Sequence, residues 1–238
     1  MTVVLAAHGT RNPHGVAMIG DLAAAMSRRL EETVRVAFVD VLGPSPSDVL
    51  AALPDDEQVV VVPAFLARGY HVRADLPAHL AAAGHPRTVL TPALGPSPAL
   101  ADAASGRLRE AGYRPGDTVV FAAAGSSDRH AVTDVRRAAT RLESVLGTAV
   151  TIGFAAPPAG SAYPGIADAV RRARRRPGRV AIASYLLADG LFQRRLADSG
   201  ADLVAAPLGL HPRVVDLACR RVLAAQQRHA DRLSPSRG

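Results

Sequence analysis

Val3-Val4-Leu5-Ala6-Ala7-His8-Gly9-Thr10 returns later in the chain as Val119-Val120-Phe121-Ala122-Ala123-Ala124-Gly125-Ser126. Two further matches follow in the same order and at nearly constant offset. Pro63-Ala64-Phe65-Leu66-Ala67-Arg68-Gly69-Tyr70-His71 pairs with Ser184-Tyr185-Leu186-Leu187-Ala188-Asp189-Gly190-Leu191-Phe192. Leu94-Gly95 with Pro98 and Asp102 pairs with Leu208-Gly209, Pro212 and Asp216. Ordered self-similarity of this kind marks an internal duplication. It divides the chain into halves 1–114 and 115–238, expected to face each other across a cleft.

Outward from these stretches, short β-branched runs alternate with Ala/Leu/Arg-rich segments of helical period. The runs predict strands at 2–8, 33–41, 58–65, 87–93, 117–124, 148–155, 178–187 and 201–207. The segments between predict helices at 13–31, 45–53, 72–84, 97–112, 129–146, 164–176, 190–200 and 211–230. Apolar strands alternating with helices imply parallel sheets covered on both faces. The expected fold is therefore α/β: two similar flavodoxin-like lobes, each a four-stranded parallel sheet flanked by helices. The Gly-Pro-Ser-Pro segments at 43–46 and 95–98 read as turns that place Pro in the first turn of a helix. The tail Ser234–Gly238 is expected to be disordered.

Composition removes several classes. With 238 residues, 48% hydrophobic and 21% charged, the chain is neither disordered nor, for want of a long apolar run, membrane-spanning. Its first residues lack the basic start of a signal peptide. The one cysteine, Cys219, excludes a disulfide framework, a zinc ribbon and a CxxC redox pair. A cytoplasmic location is expected. All 28 basic residues are arginine, so a P-loop lysine cannot exist. No strand leads into a GxGxxG turn. Aromatics at 4%, with no Trp, leave little for a nucleic-acid platform. The net charge of +7 favours anionic partners without naming one.

The halves differ where chemistry resides. His8 and His71 become Ala124 and Phe192 in the second half, so a single functional site on the first half is expected. His8 ends the first strand, Asp40 the second, and His71 follows the third. In a sheet of order 2-1-3-4 all three stand at one carboxyl edge, where α/β folds bind ligands. Adjacent strands lie about 4.8 Å apart, close enough for two imidazoles to share an ion. Two His and a carboxylate suit Fe, Co, Ni or Zn. Taken singly, His8 could cap a helix or hydrogen-bond a loop, His71 could belong to an aromatic cluster, and Asp40 before its turn could be a turn former. His14, His79, His85, His130, His211 and His229 read as surface residues, and the run Arg171–Arg176 as a solvated helix face. His8-Gly9-Thr10 also resembles the Arg-His-Gly of histidine phosphatases. Ala7 stands where their phosphate-clamping arginine belongs, and Arg11 replaces it only in part.

His8-Gly9-Thr10-Arg11, the longer Pro63-Ala64-Phe65-Leu66-Ala67-Arg68-Gly69-Tyr70-His71-Val72-Arg73-Ala74-Asp75-Leu76-Pro77 and the duplicated layout resemble the sirohydrochlorin chelatases of the CbiX/SirB type. These are class II chelatases, which work without ATP. The resemblance implies a chelatase-like fold and a lyase that inserts a divalent metal into sirohydrochlorin. It implies that His8 and His71 bind the metal, with Asp40 standing where the family often has glutamate. Arg11, Arg68 and Arg73, near the motifs, are the candidates for anchoring the substrate's eight carboxylates. The expected partners are sirohydrochlorin and Fe²⁺, Co²⁺ or Ni²⁺, with no further cofactor, no nucleic acid and no membrane. A monomer is possible, and a homodimer stays open. A ferrochelatase making sirohaem is the leading reading. A cobaltochelatase of cobalamin synthesis and a non-catalytic tetrapyrrole or metal carrier are the alternatives.

Overall fold

Every residue of the first strand, Thr2–Ala7, is buried, and so is every residue of the third, Val59–Pro63. Strands apolar on both faces require helices on both faces, and a computed structural model, which describes residues 1–233, has that arrangement. In chain order the elements are β1 (Thr2–Ala7), α1 (Pro13–Leu30), β2 (Thr33–Phe38), α2 (Pro46–Ala51), β3 (Val59–Pro63), α3 (Leu76–Ala83), β4 (Thr88–Leu90) and α4 (Pro98–Glu110). The second half continues with β5 (Thr118–Ala123), α5 (Arg129–Leu146), β6 (Val150–Phe154), α6 (Ile166–Ala173), β7 (Val180–Tyr185), α7 (Leu191–Ala197), β8 (Leu203–Val204) and α8 (Pro212–Leu233). The two sheets have orders β2-β1-β3-β4 and β6-β5-β7-β8, with every pairing parallel. The duplication read from the sequence is therefore a duplication of topology. The expectation for Ser234–Gly238 lies outside the described residues.

Alternate residues of the strands serve different cores. Val3, Leu5 and Ala7 of β1 share one continuous apolar cluster with Phe121 and Ala123 of β5. Val4 and Ala6 pack outward under α2 and α3, while Val120 and Ala122 pack outward under α6 and α7. The shared cluster contains α1, α4, α5 and α8, and the fourth helix of each half crosses over. α4 packs on α5 and β7, and α8 packs on α1 and β3. Each sheet thus borrows a covering helix from the other half, so the halves interlock through a common core.

The edge strands end sooner than the sequence pattern predicts: β4 spans Thr88–Leu90 and β8 Leu203–Val204. Thr91 and Ala205 still donate across to Val61 and Ile182, but Pro92 and Pro207 follow shortly after and cannot donate to a ladder. Helix starts agree with the turn chemistry. Ser45 and Asp48 form a reciprocal capping box ahead of α2, with Pro46 in its first turn. None of the helices among the described residues is long and apolar enough to cross a membrane.

Candidate metal centre

β1 delivers His8 to the carboxyl edge, and the turn beyond it is built the same way in both halves. Thr10 Oγ1 accepts from the Asn12 N–H at 3.1 Å, and Asn12 caps α1 through the His14 N–H. Ser126 Oγ accepts from the Asp128 N–H at 3.1 Å, and Asp128 caps α5 through the His130 N–H. Gly9 has φ +95°, and a Cβ there would stand 2.1 Å from the Asp40 carbonyl oxygen. Gly125, with φ +104°, meets Ala156 in the same way at 2.2 Å. Only glycine permits this approach.

The backbone that crosses over Gly9 carries Asp40. Its N–H donates to the His8 carbonyl at 3.0 Å, as the Ala156 N–H donates to Ala124 at 2.9 Å. Ala156 is therefore the second-half counterpart of Asp40. After Asp40 the chain turns sharply: the Leu42 N–H reaches the Asp40 carbonyl at 2.8 Å, and Val41 is held at φ +70°. A β-branched residue at positive φ is an outlier, and strain of this kind gathers at functional positions. The Val41 N–H donates to Asp40 Oδ1 at 2.7 Å and fixes the carboxylate.

His71 opens a π-turn, His71–Asp75, closed by the Leu76 N–H on the His71 carbonyl. The sequence pattern predicts an ordinary helix here. From Phe192, the counterpart of His71, the next fully buried leucine is Leu196; from His71 it is Leu76, one residue farther on. The π-turn absorbs the extra residue, keeping Leu76 in the outer core while His71 reaches the cleft. Such one-turn π-bulges recur at functional sites.

The ligand atoms of His8, Asp40 and His71 all lie within 4.8 Å of one another, and the imidazole centroids are 4.4 Å apart. His71 Nδ1 sits 2.6 Å from Asp75 Oδ2. That contact engages Nδ1 and leaves Nε2 for a ligand, the pattern in which a carboxylate orients a metal-binding imidazole. His8 has its pKa held below the ordinary imidazole value. Loss of surrounding water is the main cause, the charge of His71 adds to it, and Asp40 and Asp75 oppose it. A neutral imidazole is the form that binds metal.

The cleft between the halves carries two imidazoles on one wall and none on the other. A cavity of about 460 Å³ has His8 and His71 on one side and Ala123, Ala124, Tyr185, Leu186 and Phe192 on the other. It continues past His8 into a space of about 550 Å³ bordered by Arg11, Val41, Leu191 and Phe192. Tyr185 is buried, and its hydroxyl donates to the Leu66 carbonyl at 3.1 Å, tying the second wall to the loop before His71.

The three candidate arginines separate. Arg11 borders the cleft beside His8. Arg73 reaches across to Asp128 at 3.5 Å, and its side chain stays half exposed. Arg68 points away from the histidines, where its Nε and Nη2 each donate at 2.8 Å to the fully buried Asp134. Among the other histidines, His14 is exposed, while His79, His85, His130 and His211 are half-buried. His79 bonds Ser47 at 3.1 Å, and burial lowers the His211 pKa. These four are thus less open than the surface positions expected for them, and the side chain of His229 lies outside the described residues.

The CbiX family model matches residues 2–111 and again 118–225. The chain belongs to the CbiX family. Two relatives named sirohydrochlorin cobaltochelatase are similar to it over a third of its length. That of Methanothermobacter thermautotrophicus is 32% identical over 77 residues, and that of Methanopyrus kandleri 34% over 80 residues. The matched segments make up 54% and 56% of those proteins, so the chain spans about half the length of these curated relatives. Among solved structures, SirB from Bacillus subtilis with Fe³⁺ superposes with a TM-score of 0.77 at 18% identity, covering 93% of this chain and 94% of that one. A CbiX described as the terminal enzyme for biosynthesis of siroheme in denitrifying bacteria gives 0.70 at 27% identity, covering 94% and 99%.

In this CbiX chain the fold brings together the three expected residues, His8, His71 and Asp40. Asp75 is an addition to them, signalled in the sequence only by its spacing of four residues after His71. Ala156 is another, and it extends the loss in the second half to all three positions: Ala124, Ala156 and Phe192.

Proposed function

We propose that the protein is a sirohydrochlorin metallochelatase that uses no ATP, with Fe²⁺ as its metal and sirohaem as its product. The observation that carries this is the closeness of His8, Asp40 and His71, with both imidazoles lining the cleft opposite Ala124, Leu186 and Phe192. A metal held on the histidine side there faces a flat macrocycle lying against Ala124, Leu186 and Phe192. The relative named for siroheme biosynthesis favours iron. The two cobaltochelatases keep cobalt as the second reading.

In this mechanism the imidazoles of His8 and His71 replace waters of the incoming ion, and Asp40 offsets its charge. Asp75 keeps His71 in one orientation, so that Nε2 faces the ion. As the metal passes into the ring, two pyrrole N–H protons leave, and imidazoles freed of metal can accept protons near neutral pH. The ring gains one M²⁺ and loses two H⁺, so no nucleotide or redox partner enters the balance. Arg11, at the cleft edge, is placed to meet a peripheral carboxylate. The cleft lies within one chain, so one copy holds the whole site.

Anaerobic absorbance with sirohydrochlorin in excess over protein tests the proposal. Multiple turnovers with Fe²⁺, lost in both His8→Ala and His71→Ala, are expected. Faster turnover with Co²⁺ than with Fe²⁺ would move the assignment to cobalt. Stoichiometric binding without turnover would make the protein a carrier.

A further inference from the structure

Away from the cleft, four arginines line a cavity of about 290 Å³: Arg68, Arg137, Arg141 and Arg221, with Pro92 and Gly95 beside them. They come from three parts of the chain, the loop after β3, one face of α5 and the middle of α8. Arg137 and Arg141 are four residues apart on α5, where like charges repel. Asp134 is the one carboxylate among the described residues that pairs with any of the four. It gives both oxygens to Arg68 and stands 3.6 Å from Arg137. Arg141 and Arg221 are half-buried, and neither side chain is paired with another described residue. The Nε atom of Arg221 is fully buried with no acceptor. Burial and the nearby Arg220 and Arg228 also push the Arg221 pKa down.

Half-buried, unpaired cations such as Arg141 and Arg221 are costly unless something neutralises them. The charge run Arg171–Arg176 is different, because its arginines are exposed. A second, more open space of about 530 Å³, lined by Thr133, Thr140 and Arg136, shares Arg137 and Arg141 with the pocket and gives it an approach from solvent. A single planar carboxylate is satisfied by one bidentate arginine. Unpaired arginines arriving from two helices, α5 and α8, beside the Arg68 and Arg137 that Asp134 holds in place, suit an anion with acceptors in three dimensions. We propose that this pocket is an oxoanion site that takes a compact tetrahedral dianion of the phosphate or sulfate class. It is separate from the metal centre and independent of the chelatase assignment.

The test is calorimetric titration of the full-length protein with inorganic phosphate at constant ionic strength, alongside sulfate and acetate. Saturable binding of phosphate and sulfate, with acetate at least tenfold weaker, is expected. Arg141→Gln and Arg221→Gln should each weaken phosphate binding tenfold or more, while Arg175→Gln, a change of the same charge on the exposed run, should leave it unaltered. Should Arg221→Gln fail to fold, Arg141→Gln carries the comparison. Absence of saturable binding, equal weakening by Arg175→Gln, or acetate binding as well as phosphate would each overturn the proposal.

Discussion

The Nδ1 atom of His71 lies 2.6 Å from Oδ2 of Asp75, inside a π-turn that has no counterpart among the described residues of the second half. An α-helical start, as in α7, would place one residue fewer between the cleft position and the buried leucine. The π-turn therefore does two things together: it turns His71 toward the cleft and provides the carboxylate that fixes its ring. Asp75 is a positioning residue. Asp75→Ala should weaken Co²⁺ binding roughly 10- to 100-fold, the usual effect of removing an outer partner from a metal-binding histidine. Asp75→Asn keeps an acceptor for Nδ1–H and should recover much of the affinity. Cobalt absorption titrations give the affinities, and denaturant midpoints close to wild type in both variants would separate positioning from folding. Unchanged affinity in Asp75→Ala would remove the role.

His8 provides the pH test. Its folded pKa lies below the ordinary 6.5. Between the two values the unfolded chain binds a proton that the folded chain does not. Stability therefore rises with pH across that window, and below the folded pKa the whole deficit is present. For metal binding the sign is favourable, since His8 stays neutral at a pH where a free imidazole is protonated. An NMR titration of the metal-free protein should place the His8 midpoint below 6.5. Asp40→Asn should lower it further, because Asp40 favours the charged form, and His71→Ala should raise it. A midpoint above 6.5 in the wild type would mean that Asp40 and Asp75 outweigh the lost water and the charge of His71.

Arg68 offers a separation of stability from chemistry. Burial alone would raise the Asp134 pKa, but hydrogen bonds from the Arg68 side chain and backbone N–H outweigh it and hold the carboxyl below its usual range. Removing the Arg68 side chain leaves the buried carboxylate with one backbone N–H and the more distant Arg137. Arg68→Ala should cost about 3 kcal/mol, the low end for breaking a buried pair because the arginine end is half exposed. Arg68→Lys should recover little, since it cannot make the two-pronged contact. Metal affinity of the folded fraction should stay within about threefold of wild type, a change of well under 1 kcal/mol. Urea titration and cobalt binding on the same samples measure both quantities.

These residues also show what a linear sequence discloses. The repeat, the parallel order and the grouping of His8, Asp40 and His71 were legible because each depends on local pattern plus one topological rule. The exchange of α4 and α8 between sheets was not, because amphipathic helices look alike whichever sheet they cover. Arg68 sits in the motif beside His71, yet its side chain belongs to Asp134 on another element, and no local spacing reports such a pairing. The π-turn was hidden for a related reason: the one-residue excess appears only when two buried leucines, Leu76 and Leu196, are known to occupy matching places.

The paired glycines allow one last separation, using the second half as an internal control. Gly9 and Gly125 share positive φ and a close approach to a crossing carbonyl, that of Asp40 in one half and Ala156 in the other. An alanine at either place suffers backbone strain and a clash, together costing on the order of 3 kcal/mol. Gly9→Ala should also displace Asp40 relative to His8 and weaken Co²⁺ binding at least tenfold, even where the protein is fully folded. Gly125→Ala should lose comparable stability, yet bind Co²⁺ as the wild type does, because Ala124 and Ala156 provide no ligands. Equal loss of metal in both variants would mean that the interlocked core transmits strain between the halves. Cobalt titration below the unfolding transition, beside a thermal melt of each variant, decides between the two.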